Sequence, residues 1–196
     1  MENPEIFIHV LPGGILPRRQ TEGAIGYDVH IRAIVSPTET DPINPKLRKT
    51  LFDFQSIPDD PSIAGHIMSQ PRKDGNGYEL AYRMNPNESL LVGIGFVTEM
   101  TFPMFFWVSP RSGLSSRYGI TVTNAPGTVD PDYRGEAGVL VWNRASTTFD
   151  LKHGMRIAQI IFQWAIIPEI RGVDEYKKLH DTIRGIEGFG STGLNK

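Results

Sequence analysis

The sequence predicts an all-β domain with little helix. Short segments that are apolar, or that alternate apolar with polar residues, recur along the chain, and most are bounded by Gly, Pro, Asn or Asp. Glycine (20 residues) and proline (15 residues) are more frequent than in an average globular protein and are spread along the chain, which indicates frequent turns. Helical periodicity is weak, with one helical turn expected at 114–118 and another short element at 173–182. Many short strands are typical of a β-sandwich or barrel.

The predicted strands follow one another at short intervals. In the segment 27–35 apolar and polar side chains alternate, with Val29 and Ile31 on one side of the strand and Asp28 and His30 on the other. In chain order, the expected strands are 6–10, 27–35, 89–95, 96–99, 105–108, 119–123, 137–142, 147–151 and 155–167.

The length of 196 residues suits one domain. We expect a single β domain over 1–183 that carries an insertion at about 37–87, followed by a mobile, glycine-rich C-terminal arm over 184–196. The insertion is rich in proline and polar residues but also contains aliphatic and aromatic side chains, so an ordered elaboration is expected. The arm is almost free of aliphatic residues and cannot form a core by itself.

Composition argues against several classes of function. The 20 basic and 22 acidic residues give a net charge of −2, which disfavours a nucleic-acid partner and binding to a membrane surface. Cysteine is absent, which excludes disulfides, thiolate metal sites and a catalytic cysteine, and the five histidines show no metal-ligand spacing. We find neither a targeting signal nor an apolar run of about 20 residues, so a cytoplasmic protein is expected.

Two polar segments stand next to predicted strands. Residues 110–117 supply two arginines, three serines and a glycine, which suit either an anion site at the start of a short helix or a helix cap with solvated arginines. Residues 124–136 contain the Asp-Pro-Asp sequence of a type I turn. They form either an ordinary hairpin tip or a site where a carboxylate acts as general base beside a ring that packs on a sugar.

The segment 188–193 (GFGSTG) matches the G-x-G-x-x-G pattern of dinucleotide-binding proteins. That pattern has to follow a strand and open a helix, and neither is predicted here, so a dinucleotide-binding fold is not expected. Its backbone N–H groups and hydroxyls, together with the preceding Arg184, suit a phosphate chain. Phe189 is either incidental or stacks on the ring of a ligand.

Five segments, taken in order, resemble the five motifs of the trimeric dUTP pyrophosphatase (dUTPase) family. A single motif would be a weak signal, whereas five in the family's order are specific. The resemblance covers nearly the whole chain except the insertion, with small departures at Ile25, Pro131 and Glu187. The matching segments are 23–29 (GAIGYDV), 110–120, 124–136, 154–161 (GMRIAQII) and 184–193.

The resemblance implies a fold, a reaction and an assembly. The fold would be a distorted jelly-roll or β-clip barrel of the dUTPase type. The reaction would be the Mg²⁺-dependent hydrolysis of dUTP to dUMP and pyrophosphate by attack of water on the α-phosphorus, which lowers dUTP and supplies dUMP for dTMP synthesis. The active sites would lie at the subunit interfaces of a homotrimer.

The resemblance also assigns roles to individual residues. Asp130 would orient and deprotonate the attacking water, and Tyr133 would lie under the deoxyribose, where a ribose 2′-hydroxyl has no room. Asp28 would act on Mg²⁺ through water. The remaining substrate-binding residues would be Asn124 and Gly127 at the uracil, Arg111, Ser112, Gly113 and Gln159 at the phosphates, and Arg184, Phe189, Gly190 and Ser191 in an arm that closes over the nucleotide.

Two alternatives remain open from the sequence. A dCTP deaminase, or a bifunctional deaminase and dUTPase, shares the fold, and the chain length and the insertion are similar to that relative. The deaminase needs a glutamate three residues before the asparagine that closes a strand; here that asparagine is Asn143 and the position holds Leu140, which cannot transfer a proton. The second alternative is a dUTP-gated regulatory protein whose insertion binds a protein partner. Its candidate exposed patch, which could equally pack against the barrel, is Phe52, Phe54, Ile63 and Ile67.

Overall fold

The computed structural model describes residues 4–176, 179–183 and 185. Within these residues the chain is mostly β-strand, with two short helices. The elements are β1 (Phe7–Val10), β2 (Tyr27–His30), β3 (Ala33–Thr40), β4 (Arg48–Phe52), α1 (Pro61–Ala64), β5 (Ile67–Pro71), β6 (Tyr78–Met84), β7 (Ser89–Gly93), β8 (Phe96–Glu99), β9 (Met104–Pro110), α2 (Ser112–Tyr118), β10 (Ile120–Val122), β11 (Gly127–Val129), β12 (Gly138–Asn143), β13 (Phe149–Lys152) and β14 (Arg156–Trp164). The predicted all-β fold with little helix is therefore confirmed.

The strands of the described residues form antiparallel sheets that do not close into one barrel. The two largest have the strand orders β10-β12-β7-β3-β4 and β11-β9-β14-β2. A three-stranded sheet, β13-β6-β5, and the pair β1-β8 complete the set. The distorted barrel that the sequence predicts corresponds to these sheets arranged around a shared apolar centre.

One hydrophobic core joins the sheets. Its largest fully buried side chains include Phe52, Phe96, Phe106 and Met84, which come from four different strands. Burying side chains of this size stabilises the fold by about 2 kcal/mol each before conformational entropy is subtracted. The core holds the strands that carry the polar segments in fixed positions.

The predicted strand 27–35 is two strands. β2 pairs with β14, whereas β3 pairs with β7 and β4, so the chain passes from one sheet to another at residues 31 and 32. The backbone amide of Ile31 donates to Met155 O and that of Arg32 donates to Gly93 O, both at 2.9 Å. The alternation places Val29 and Ile31 in the core. The prediction of one unbroken strand over 27–35 is therefore wrong. The local pattern could not show the break, because the residues that bond the backbone there lie far away in sequence.

The insertion at 37–87 is an ordered part of the fold. It contains the end of β3, all of β4, α1, β5 and β6. Phe52 and Phe54 are buried in the core, and Ile63 and Ile67 pack against it. These four side chains therefore do not form an exposed patch, and the partner predicted at the insertion would have to contact other residues.

Two compact units are distinguished along the chain, residues 1–165 and 166–196. All of the strands and helices named above belong to the first unit. The domain limit that the sequence predicts after residue 183 stays a prediction. None of the helices in the described part of the chain is long and apolar enough to cross a membrane.

Candidate active site

The 124–136 segment forms one wall of a cavity of about 220 Å³, which we call the hairpin cavity. β11 lies within the segment and pairs with β9, with Val129 opposite Phe106. It pairs with neither β10 nor β12, so the segment is not an ordinary hairpin tip, although the Asp-Pro-Asp turn is present, with the Tyr133 amide donating to Asp130 O. Apolar side chains of β7, β9 and β12 supply the opposite lining, so the cavity has a polar and an apolar part. It is lined by Arg48, Leu91, Val108, Asn124, Gly127, Thr128, Val129, Asp130, Tyr133, Glu136, Gly138 and Leu140.

Two polar side chains of the hairpin cavity have no partner within the described residues. Asn124 and Asp130 are both exposed, and neither side chain takes part in a hydrogen bond or ion pair there. A Cβ on Gly127 would lie 3.1 Å from Asn124 Nδ2, so the glycine leaves room for the amide. The 124–136 segment thus offers a carboxylate acceptor, and an amide whose donor and acceptor groups make no bond with the described residues.

Tyr133 is folded back over its own turn. Its hydroxyl donates to the backbone carbonyl of Glu136 at 3.0 Å. A Cβ on Gly135 would overlap the Tyr133 hydroxyl, so only glycine permits this position of the ring. About a third of Tyr133 stays exposed (36%), and the ring lines the cavity beside Asp130.

A second polar group, which we call the Asp28 cluster, consists of Asp28, Arg111 and Arg156. Asp28 is a buried residue of β2, and each of its carboxylate oxygens accepts from one guanidinium, Arg111 Nε to Oδ1 and Arg156 Nη1 to Oδ2, both at 3.0 Å. Arg111 immediately follows β9 and Arg156 begins β14. Two cations share one carboxylate, so the cluster carries a net positive charge that suits an anion.

Gln159 and the first turn of α2 border this cluster. Gln159 lies opposite Asp28 in the β14–β2 pairing, and its Nε2 donates to Pro110 O at 3.0 Å. A Cβ on Gly26 would overlap Gln159 Oε1, so the glycine admits this side chain. Ser112 and Gly113 open α2, and the N–H groups of a first helical turn have no carbonyl partner inside the helix.

His30 follows Asp28 on β2 and pairs in register with Arg156. Burial lowers the pKa of His30, and the charges of Arg156 and Arg111 act in the same direction while Asp28 opposes them. Its Nδ1 has no hydrogen-bond partner among the described residues. The lowered pKa favours the neutral imidazole, so His30 does not add a third cation to the cluster at neutral pH.

Asp130 and the Asp28 cluster lie toward opposite ends of β9. Asp130 follows Val129, which pairs with Phe106, and Arg111 lies five residues after Phe106. In the antiparallel register Asp130 comes opposite Phe105, six residues before Arg111, so at about 3.3 Å per residue the backbones of Asp130 and Arg111 are roughly 20 Å apart along the strand. The Arg111 side chain reaches Asp28 on β2, on the side of the sheet away from β11. One chain does not bring the Asp130 carboxylate and the Arg111 guanidinium together.

Comparison with protein families identifies the chain. The dUTPase family model matches residues 79–193. The deoxyuridine 5'-triphosphate nucleotidohydrolase of Heliobacterium modesticaldum is 34% identical over 184 residues, which is 94% of this chain and 93% of that protein. This chain belongs to the dUTPase family.

Other dUTPase relatives agree with this assignment. The deoxyuridine 5'-triphosphate nucleotidohydrolase of Rhizobium rhizogenes is 42% identical over 131 residues, 67% of this chain and 80% of that protein. A mutant dUTPase of Staphylococcus bacteriophage 80alpha, solved with dUpNHpp, superposes with a TM-score of 0.66 at 16% identity and covers 97% of this chain and 99% of that one. A mutant dUTPase of phage phi11, described with a structural Mg(II) ion, superposes with a TM-score of 0.59 at 14% identity, over 88% of this chain and 99% of that one. At these identities the structures show that the dUTPase fold is shared.

The site residues predicted from the dUTPase motifs fall into two spatially separate groups and a third set that the structure does not describe. The hairpin cavity contains Asn124, Gly127, Asp130 and Tyr133, and the other group contains Asp28, Arg111, Ser112, Gly113 and Gln159. Arg184, Phe189, Gly190 and Ser191 lie outside the described residues. Sequence reasoning missed Arg156 as a partner of Asp28, although it stands inside the fourth motif, and Arg48, which no motif contains.

Proposed function

We propose that this chain hydrolyses dUTP to dUMP and pyrophosphate, with water attacking the α-phosphorus. Membership of the dUTPase family and the names of the relatives support dUTP as the substrate. The observation that carries the mechanism is the Asp130 carboxylate, which lies next to Tyr133 at the hairpin cavity and makes no hydrogen bond or ion pair with the residues that the structure describes. A carboxylate free of ion pairs can accept a hydrogen bond from water and take its proton.

The hairpin cavity has the chemistry that a deoxyuridine requires. The Asn124 amide offers a donor and an acceptor to the uracil edge, and backbone groups near Gly127 lie beside it. The Tyr133 ring, fixed through its hydroxyl, would pack under the deoxyribose and leave no room for a 2′-hydroxyl. Leu140 and Val108 supply an apolar surface for the base.

The Asp28 cluster would bind the phosphates. Arg111 and Gln159 supply side-chain donors, while Ser112 and Gly113 supply backbone N–H groups at the start of α2. Phosphoryl transfer depends mainly on positioning and on neutralising charge, so this net positive group is where a triphosphate would bind.

Magnesium would enter with the nucleotide. Both carboxylate oxygens of Asp28 are held by arginines, and the described residues contain no cluster of three or more metal-ligating side chains. This donor set fits an ion bound through the substrate phosphates and water, with Asp28 contacting its water shell. Mg²⁺ neutralises phosphate charge when it is bound there.

We propose that the complete site forms between chains of a homotrimer. Asp130 and Arg111 are farther apart in one chain than the phosphates of a single triphosphate, so the 124–136 segment of one subunit would face the Asp28 cluster of another. Ile25 (74% exposed) and Trp164 (56% exposed) provide apolar surface for such contacts. Arg184, Phe189, Gly190 and Ser191 would close over the bound nucleotide.

Deamination of dCTP is the weaker candidate. Leu140 lines the hairpin cavity at the position where the deaminase needs its glutamate. An apolar side chain there cannot transfer the proton that ammonia release requires.

A nucleotide panel tests this proposal. dUTP, dCTP, dTTP and UTP are each incubated with the protein and Mg²⁺, and pyrophosphate and ammonia are measured separately. We expect pyrophosphate from dUTP, no ammonia from dCTP, and loss of turnover in Asp130→Asn. Binding of dUTP without turnover would instead support a regulatory protein.

A further inference from the structure

The lining of the hairpin cavity includes an arginine from the insertion. Arg48 is the first residue of β4, and it borders the cavity together with Asp130 and Tyr133. The insertion lies outside the five motifs, so the family resemblance assigns no role to Arg48.

The β3–β4 hairpin fixes the position of Arg48. Its Nη1 donates to Pro37 O at 2.6 Å, and its backbone pairs with Thr40. The connecting loop is ordered by Asp41, whose Oδ1 accepts from the amides of Ile43 and Asn44 at 2.9 Å. The side chain is half-buried, so the guanidinium is held at the cavity and does not extend freely into solvent.

The charge of Arg48 has no counter-ion among the residues that the structure describes. The bond to Pro37 O is the only hydrogen bond that the guanidinium makes with them, which leaves Nε and Nη2 available. In contrast, Arg32 binds Glu136 and Arg111 binds Asp28. A half-buried guanidinium with free donors at a concave surface favours an anionic ligand.

Arg48 stands on the Asp130 side of the hairpin cavity. A neighbouring cavity of about 600 Å³ is also lined by Arg48, Asp130 and Tyr133, but not by Asn124 or Leu140. The proposed reaction requires the α-phosphate beside Asp130, because the water that Asp130 activates attacks that phosphorus. We propose that Arg48 donates to the α-phosphate of the nucleotide in the hairpin cavity, an inference that rests on the proposed function.

Binding of two ligands without turnover tests this inference. dUMP carries the α-phosphate and deoxyuridine does not, and both would occupy the same base and sugar positions. Affinities are measured by titration calorimetry on the full chain for the parent, Arg48→Met, Arg48→Lys and the control Lys49→Met. Lys49 is adjacent in sequence and pairs with Glu39 on the surface.

We expect Arg48→Met to bind dUMP about tenfold more weakly or worse, as loss of a charged hydrogen bond implies. Arg48→Lys should recover part of the loss, deoxyuridine should bind all variants alike, and Lys49→Met should match the parent. Equal losses for both ligands, or no loss for dUMP, overturn the inference. If Arg48→Met does not fold, the ratio of the two affinities in Arg48→Lys decides, since an unchanged ratio overturns it.

Failure of the proposed function gives a different result. A parent protein that releases no pyrophosphate from dUTP overturns the proposed reaction and the inference together. A parent that turns over dUTP, with an Arg48→Met variant that binds dUMP normally, overturns the inference alone.

Discussion

Arg32 binds both carboxylate oxygens of Glu136, with Nε–Oε1 and Nη2–Oε2 distances of 2.6 Å each. Glu136 is buried, and its Oε1 also accepts from the Gly95 amide at 2.9 Å. The backbone carbonyl of the same residue receives the Tyr133 hydroxyl. This ion pair therefore connects the junction of β2 and β3 to the turn that carries the proposed sugar-binding ring.

We expect Glu136→Gln to lower the free energy of unfolding by about 3 kcal/mol, because it leaves the largely buried Arg32 guanidinium without its charge partner. Glu39→Gln is the matched control, since Glu39 pairs with Lys49 at the surface and should change the free energy by less than about 0.5 kcal/mol. Denaturant unfolding at equal protein concentrations measures both. Similar values for the two variants would contradict the structural role given to the pair.

Gly26→Ala should displace the Gln159 side chain, because its Cβ would overlap Gln159 Oε1. If Gln159 binds phosphate, we expect kcat/KM for dUTP to fall about tenfold, the loss of one hydrogen bond to a charged group. Gly23→Ala is the control, since nothing lies within 4 Å of a Cβ at that position. Equal kcat/KM values for the two variants would show that Gln159 does not bind the phosphates.

Tyr133→Ala should admit UTP, because removing the ring opens space for the ribose 2′-hydroxyl. Tyr133→Phe keeps the ring and loses only the bond to the Glu136 carbonyl, so we expect it to continue rejecting UTP. Pyrophosphate release from UTP and dUTP is compared for the two variants and the parent. Tyr133 is not the sugar gate if the alanine variant rejects UTP as strongly as the parent does.

Deleting 184–196 should leave the β domain folded and lower turnover by orders of magnitude, as expected for loss of a closing segment. Deleting only 194–196, which follow the fifth motif, should leave turnover near that of the parent. Circular dichroism checks the fold, and pyrophosphate release measures the activity. Full activity after the longer deletion would contradict the role of the arm.

The short-range pattern of apolar and polar residues predicted much of the fold. The alternation in 27–35 and the boundaries of the strands near 96–99 and 137–142 could be predicted because they depend on neighbouring residues. The break at Ile31 and Arg32 could not, since their partners Met155, Gly93 and Glu136 are far away in sequence. The strands of the insertion were missed because prolines and polar residues obscure their periodicity.

The site was predicted less completely than the fold. The motif resemblance identified Asp28 and Arg111, but physical reasoning on the sequence could not bring them together, since the contact depends on β14 lying between β9 and β2. Arg156 was missed because an arginine at a strand start is usually solvated. Arg48 was missed because the fold alone brings β4 beside the hairpin cavity.

We propose that Asp130 of one chain acts together with Arg111 of another. Asp130→Asn and Arg111→Gln are each expected to abolish turnover, and the two chains are co-expressed with different tags and purified as trimers that carry both. In such hybrids, cyclic symmetry restores roughly one site in three. We predict that pyrophosphate release from dUTP returns to about that fraction of the parent rate. Hybrid trimers as inactive as each variant alone would contradict the claim.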